Sequence, residues 1–181
     1  MDSGNFPVHE LYDNRLKLIE AYDKAGFYGY HVAEHHQTSL GMAPSPGVFL
    51  ASAIARTSQI KLGALVYILP AYSPLRLIEE ICMLDQMSGG RLEIGFGRGA
   101  SPIELELYGQ SPADAQRIYT EALELVIQGL TEKKINFKGE YFSFENVRME
   151  LGPLQRPYPP VWYGVHSTDS AERAARKGLN I

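Results

Sequence analysis

One segment limits the possible folds more than any other: Ile60–Leu69, IKLGALVYIL. Past Lys61 it carries no charge, so it lacks the polar alternation of a strand with one wet face. Such a strand is buried on both faces, which is the habit of parallel sheets covered by helices. The flanking sequence supplies those helices. Leu11 to Ala25 repeats apolar residues at helical spacing (Leu11, Leu18, Ile19, Tyr22, Ala25), with Gly26 at the stop. Gly47–Arg56 is small and apolar, as a tightly packed helix requires. Pro74–Met87 turns Leu77, Ile78, Ile81 and Leu84 inward and ends at Ser88-Gly89-Gly90. Ser111–Leu130 is the longest helical stretch, with Ser111 as expected N-cap and Ile118, Ala122, Leu125 and Gly129 on one stripe.

Strands alternate with these helices near residues 28–33, 60–67, 91–96, 161–165 and from 179 onward, and Ser167–Lys177 forms a further helix. Residues 135–150 alternate instead, with Gly139 at a turn, and read as a hairpin excursion. This order predicts right-handed βαβ units in one parallel sheet and one domain over residues 1–181. A barrel and an open doubly wound sheet both satisfy it. A closed eight-stranded barrel takes ~250 residues, so a barrel made by this chain would be partial.

Composition narrows the functional classes. A net charge of -4 over 181 residues offers no electrostatic case for nucleic acid or an anionic membrane. No apolar run approaches the roughly 20 residues of a membrane span. The start, MDSGNFPVHELYDN, lacks the basic and apolar regions of a signal peptide, so a cytoplasmic protein is expected. The single cysteine, Cys82, lies in an apolar helix and reads as core.

Three motifs carry chemistry. Gly95-Phe96-Gly97-Arg98-Gly99-Ala100 follows a strand and matches the dinucleotide glycine pattern. Pro102 and a glutamate-rich turn follow, however, and the next strand lies far beyond the ~30-residue unit of that motif. Arg98 among three glycines suits an anion; a solvated arginine is the plain alternative. Ser167, Thr168 and Ser170 open a helix, where free amides and the helix dipole can bind an anion, or where hydroxyls simply cap. Glu34-His35-His36 ends a strand. Adjacent rings point apart and no ligand set supports them, so no metal is expected. Acid–base chemistry fits a strand's carboxyl end, and a half-buried histidine bonded to a backbone carbonyl is the alternative.

Together the blocks GFYGYHVAEHHQTSLGMAPSP, IKLGALVYILPAYSPLRLIEEICMLDQMSGGRLEIGFGRG and GEYFSFENVRMELGPLQRPYPPVWYG, with the serine turn before ERAARKG, resemble the bacterial luciferase-like flavin monooxygenases. The resemblance covers nearly the whole chain, and LDQMSGGRLEIGFGRG is close to a family signature. It implies an α/β TIM-type (β/α)8 barrel, here incomplete, of which this chain holds about the N-terminal two-thirds. It implies reduced flavin mononucleotide (FMN) from a separate reductase, and oxidation of a small organic substrate with O2 through a peroxyflavin. His35 would be catalytic, with Glu34 and His36 beside it. Arg98 and the hydroxyls of Ser167 and Ser170, next to His166, would hold the flavin phosphate. Ile60–Leu69 would wall the cavity, and a non-proline cis peptide would join Leu65 to Val66 behind the ring. Gly97 stands where luciferase has a reactive cysteine. The resemblance also implies a homodimer, with the helix of residues 74–88 at its interface. Against the family's pattern, the first strand is expected to be missing or vestigial, and everything beyond the strand at Leu179 to be absent. Two further readings stay open: a flavin-binding relative without catalysis, and a deazaflavin-dependent oxidoreductase.

Overall fold

The computed structural model describes residues 7–165 and 167–181. Its elements run α1 (Val8–Lys24), β1 (Gly29–Val32), α2 (Pro46–Ile54), β2 (Lys61–Ile68), α3 (Pro74–Ser88), β3 (Leu92–Gly97), α4 (Pro102–Leu107), α5 (Ala115–Thr131), β4 (Lys134–Lys138), β5 (Ser143–Arg148), β6 (Val161–Tyr163) and α6 (Thr168–Arg176). β1, β2, β3 and β6 form one parallel sheet in that spatial order. Asn180 begins a further pairing as a single parallel bridge to Trp162. Among the described residues the sheet does not close, in keeping with the incomplete barrel expected, and what they form is an α/β fold with a parallel sheet. The excursion is an antiparallel hairpin of β4 and β5, and the Glu121 carboxylate of α5 holds its turn by accepting from the backbone N–H groups of Glu140, Tyr141 and Phe142.

Most of the helix readings hold in outline. α1 ends in a Schellman motif: the Gly26 amide (φ 76°) donates to Asp23 O and the Phe27 amide to Tyr22 O, while the Tyr22 and Phe27 rings stack at 4.7 Å. Its buried face differs from the expected one. Leu16, Ile19 and Asp23 face inward, and Leu18 and Ala25 are exposed, because the stripe follows i, i+3, i+7 from Leu16. The N-cap of α5 is Asp114 rather than Ser111; residues 111–114 close a turn in which the Asp114 amide donates to Ser111 O. Where the sequence suggests a glutamate-rich turn after Pro102, the chain forms α4. Ser101-Pro-Ile-Glu104 carries the signature of a capped start: Pro102 opens the helix and Ser101 Oγ accepts from the Glu104 amide.

The core lies where α2, α3 and α5 cover the sheet. Leu62, Ala64, Tyr67, Leu92, Ile94 and Phe96 are buried in β2 and β3. Cys82 sits in this core with its thiol pushed up to about 11 by burial. The continuous burial expected of IKLGALVYIL fails at Leu65 and Val66. These two are half-buried, at a register shift in the β2–β3 pairing, and the peptide between them is cis. At the other end of the sheet the buried Glu93 accepts from Tyr28 Oη (2.5 Å) and Trp162 Nε1 (3.1 Å) and pairs with His31 Nε2 (2.9 Å).

Candidate active site

The carboxyl ends of β1, β2, β3 and β6 open onto one cleft of about 580 Å³. Parallel sheets put chemistry at this end, because the loops following the strands converge there. Glu34, His35 and His36 enter from the β1 end, and Leu65 and Val66 from β2. Gly97 and Arg98 come from the β3 end, and Ser167 and Ser170 from the start of α6. Glu34, His35, His36, Leu65, Val66, Arg98, Ser167 and Ser170 therefore all line this cavity, while Thr168 does not; His166 lies outside the described residues.

The rings of the two adjacent histidines have different partners, and each meets a carboxylate. His35 is half-buried, with Nδ1 3.3 Å from Glu104 Oε1. The same oxygen accepts the His36 backbone N–H at 2.9 Å. The His36 ring is buried. Its Nε2 lies 2.7 Å from Glu34 Oε1 and its Nδ1 2.7 Å from Tyr108 Oη. Glu34 Oε2 accepts from the Ile68 amide (3.2 Å) and Tyr72 Oη (2.9 Å). Burial raises the Glu34 carboxyl above its usual range, and the His36, Ile68 and Tyr72 donors oppose that rise. Burial, then the Glu34 charge, pushes the Tyr72 hydroxyl far up, so it serves as a donor. The alternative of a backbone carbonyl satisfying these rings does not hold: carboxylates and a tyrosine do so.

Arg98, Ser167 and Ser170 line another part of the cleft. Arg98 is exposed and has no hydrogen-bond or ion-pair partner among the described residues. Ser167 and Ser170 form a capping box: Ser167 Oγ accepts from the Ser170 amide, and Ser170 Oγ accepts from the Ser167 amide at 2.9 Å. Both readings of this turn are thus compatible, for the hydroxyls cap while the first-turn amides of Thr168 and Asp169 lack intrahelical acceptors. Gly97 keeps the floor flat, since a Cβ there would collide with the Val66 side chain. Among the described residues no group of three or more His, Cys, Asp or Glu is placed to hold a metal ion. No helix among them is long and apolar enough to cross a membrane.

Several residues of the site escaped the sequence reading. Glu104 on α4 and Tyr108 at its carboxyl cap stand four apart in sequence and between them bond both histidines. The Ser-x-x-Glu cap of α4 is the signal that marks them. Tyr163, Gln116 and Arg173 also line the cleft, and no local pattern points to them.

The profile of a family described as luciferase-like monooxygenase matches residues 3–181. Among curated proteins, the chain is 46% identical over its whole length to the uncharacterized protein y4wF of Sinorhizobium fredii, spanning 53% of it. It is 30% identical over 95% of its length to the oxygenase component of a flavin-dependent trigonelline monooxygenase from Acinetobacter baylyi, spanning 48%. Among solved structures, monooxygenase RslO1 of Streptomyces bottropensis superposes with a TM-score of 0.89 at 33% identity, over 93% of this chain and 52% of that one. The oxygenating constituent of 3,6-diketocamphane monooxygenase from Pseudomonas putida, in complex with FMN, superposes with a TM-score of 0.88. That match covers 98% of this chain and 53% of the other, and at 20% identity it is a likeness of fold. The chain spans about half the length of these relatives. With a family profile matched from residue 3 to residue 181, and a cleft built from the motifs that prompted the resemblance, the chain belongs to the luciferase-like monooxygenases.

Proposed function

We propose that the chain is the flavin-holding part of a two-component FMN-dependent monooxygenase, which uses reduced flavin and O2 to oxidise a small organic substrate. One observation carries this reading. A carboxylate-bonded histidine, an apolar ledge and an unpartnered arginine beside a helix N-terminus meet in a single cleft. A volume of about 580 Å³ lies in the usual range for cofactor sites. Arg98 and the first turn of α6 would hold the phosphate, by a charge-assisted fork and by backbone amides. Leu65, Val66 and Ile68 would back the ring and keep water from it. Reduced flavin, when bound, supplies the electrons that activate O2. The chain's own part is proton handling: His35 Nδ1 faces Glu104, which leaves Nε2 free to give or take a proton in the cleft.

Support for FMN comes from the FMN-bound fold neighbour, and support for a separate reductase from the relative named as an oxygenase component. Titration of FMN into the protein, followed by flavin fluorescence, tests the reading. Arg98→Ala should weaken binding by roughly tenfold or more, the worth of one charge-assisted contact. An unaltered dissociation constant removes Arg98 from the phosphate site, and absence of any flavin binding removes the function. The visible spectrum of the cofactor that co-purifies separates flavin from deazaflavin. A homodimer through α3, whose Met83 and Met87 are each 54% exposed, belongs to the same proposal. Sedimentation at the mass of one chain would overturn that part.

A further inference from the structure

Short as it is, α4 supplies a partner to each histidine, and the two partners are unlike. Glu104 is buried and bonds inward. Tyr108, at the carboxyl cap of α4, is 46% exposed, yet its hydroxyl reaches the ring of a histidine that is only 8% exposed. The Tyr108 and His36 rings meet edge to face at 4.7 Å. Tyr108 does not line the cleft, whereas Glu34 and His36 do. A continuous hydrogen-bonded path therefore runs from the cleft wall to Tyr108, an exposed residue that does not line the cleft. It consists of Glu34 Oε1, His36 Nε2, His36 Nδ1 and Tyr108 Oη, with steps of 2.7 Å.

The proton positions follow from the partners. Glu34 Oε2 accepts from Ile68 N and Tyr72 Oη, and with Glu34 ionised its Oε1 takes the hydrogen of His36 Nε2. A neutral His36 then offers Nδ1 as acceptor, and Tyr108 Oη–H donates to it. When His36 gains a second proton, that proton sits on Nδ1 and Tyr108 Oη becomes the acceptor. No heavy atom has to move. The charged and titratable groups facing His36 are Glu34 and its neighbour Tyr72, Glu104 and Tyr108 of α4, and the adjacent His35. Burial, then the Glu34 and Glu104 charges, raises the Tyr108 hydroxyl, so it stays protonated at neutral pH and can donate.

We infer that Tyr108 is the proton port of the buried Glu34–His36 pair, passing one proton at a time between solvent and His36 Nδ1. The step balances as a relay: Tyr108 Oη gives its proton to Nδ1 and takes one from a water or buffer molecule, and the reverse discharges the pair. Its use in turnover rests on the function proposed above. A cleft that must stay dry for oxygen chemistry gains a side route by which protons enter and leave.

The test uses the flavin-free protein, so its failure is distinct from a failure of flavin binding. In protein labelled with ¹⁵N-histidine, line broadening of the His36 ring nitrogens reports exchange between its two protonation states. Tyr108→Phe keeps the ring and removes only the hydroxyl, and should slow the exchange about tenfold or more. Tyr108→Ala opens a hole that water fills, and should restore the exchange to the wild-type rate or above. A side chain that mattered only for packing gives the opposite order, with Phe near wild type and Ala impaired. Phe exchanging as fast as Tyr, or Ala no faster than Phe, overturns the port. The Phe arm decides alone if the Ala variant does not fold.

Discussion

Asp23 offers the sharpest test of the energetics. It lies near the end of α1, 6% exposed, and clamps the turn that leads into β2. Its Oδ1 accepts the Gln59 and Ile60 amides at 2.8 and 2.7 Å, and its Oδ2 the Ser58 amide and hydroxyl at 2.9 and 3.1 Å. Burial alone would raise the carboxyl. The backbone donors of Ile60, Ser58 and Gln59 and the Ser58 hydroxyl outweigh it and bring the carboxyl down to about 2. An unfolded aspartate titrates near 3.9. The difference is worth about 2.6 kcal/mol of stability at neutral pH, at ~1.4 kcal/mol per unit. Above pH ~5 both states are ionised and the whole contribution is present. As the pH falls the unfolded chain binds the proton first, so the contribution drains away between about 5 and 2. In Asp23→Asn the side-chain NH2 must face two donors, one of them a backbone amide, and the charge is gone. Urea unfolding at pH 7 should show a loss of about 2–3 kcal/mol relative to wild type. The gap between the two proteins should shrink steadily below pH 4. A loss that is the same at pH 7 and pH 3 would refute the assignment of this energy to the ionised carboxylate.

Three further outcomes follow from the site and the hairpin. His35→Ala should cut single-turnover oxidation of a long-chain aldehyde probe, with reduced FMN and O2, by roughly 10²–10⁴, leaving the FMN dissociation constant in place; normal turnover would remove His35 from the chemistry. Glu104→Gln still offers an oxygen to the His36 amide but withdraws the charge beside His35. Turnover should fall about tenfold with flavin affinity unchanged, and equal losses in both would mean a distorted loop instead. Glu121→Gln leaves a neutral amide under the amides of residues 140–142, so amide hydrogen exchange in β4 and β5 should accelerate while the β2–β3 core stays protected; unchanged exchange would mean that the strand pairing alone holds the turn.

Much of the architecture was legible because it is written in local periods. Two-sided burial of Ile60–Leu69 announces a parallel sheet, and the helical spacing of Leu77, Ile78, Ile81 and Leu84 announces its cover. Gly26 and Gly89, both left-handed, mark the ends of α1 and α3. The errors were also local. A capped six-residue helix after Ser101 is too short to display an apolar stripe, so α4 read as a turn. Leu18 belongs to an apolar-looking spacing but falls outside the face that Leu16 and Ile19 present.

By itself, then, the sequence determined the class of fold, the strand ends at which Glu34, His35, His36 and Arg98 stand, and the family to which such a set points. Only the tertiary structure decided what each of them touches. Glu104 lies 69 residues from His35 in the chain, Tyr108 72 residues from His36, and Tyr72 38 from Glu34. The physical reason is that hydrophobic periodicity records which face of an element is buried, a property of neighbours in sequence. Which carboxylate meets which imidazole depends on how the ends of separate strands converge once the sheet has twisted and packed, and no local pattern carries that distance.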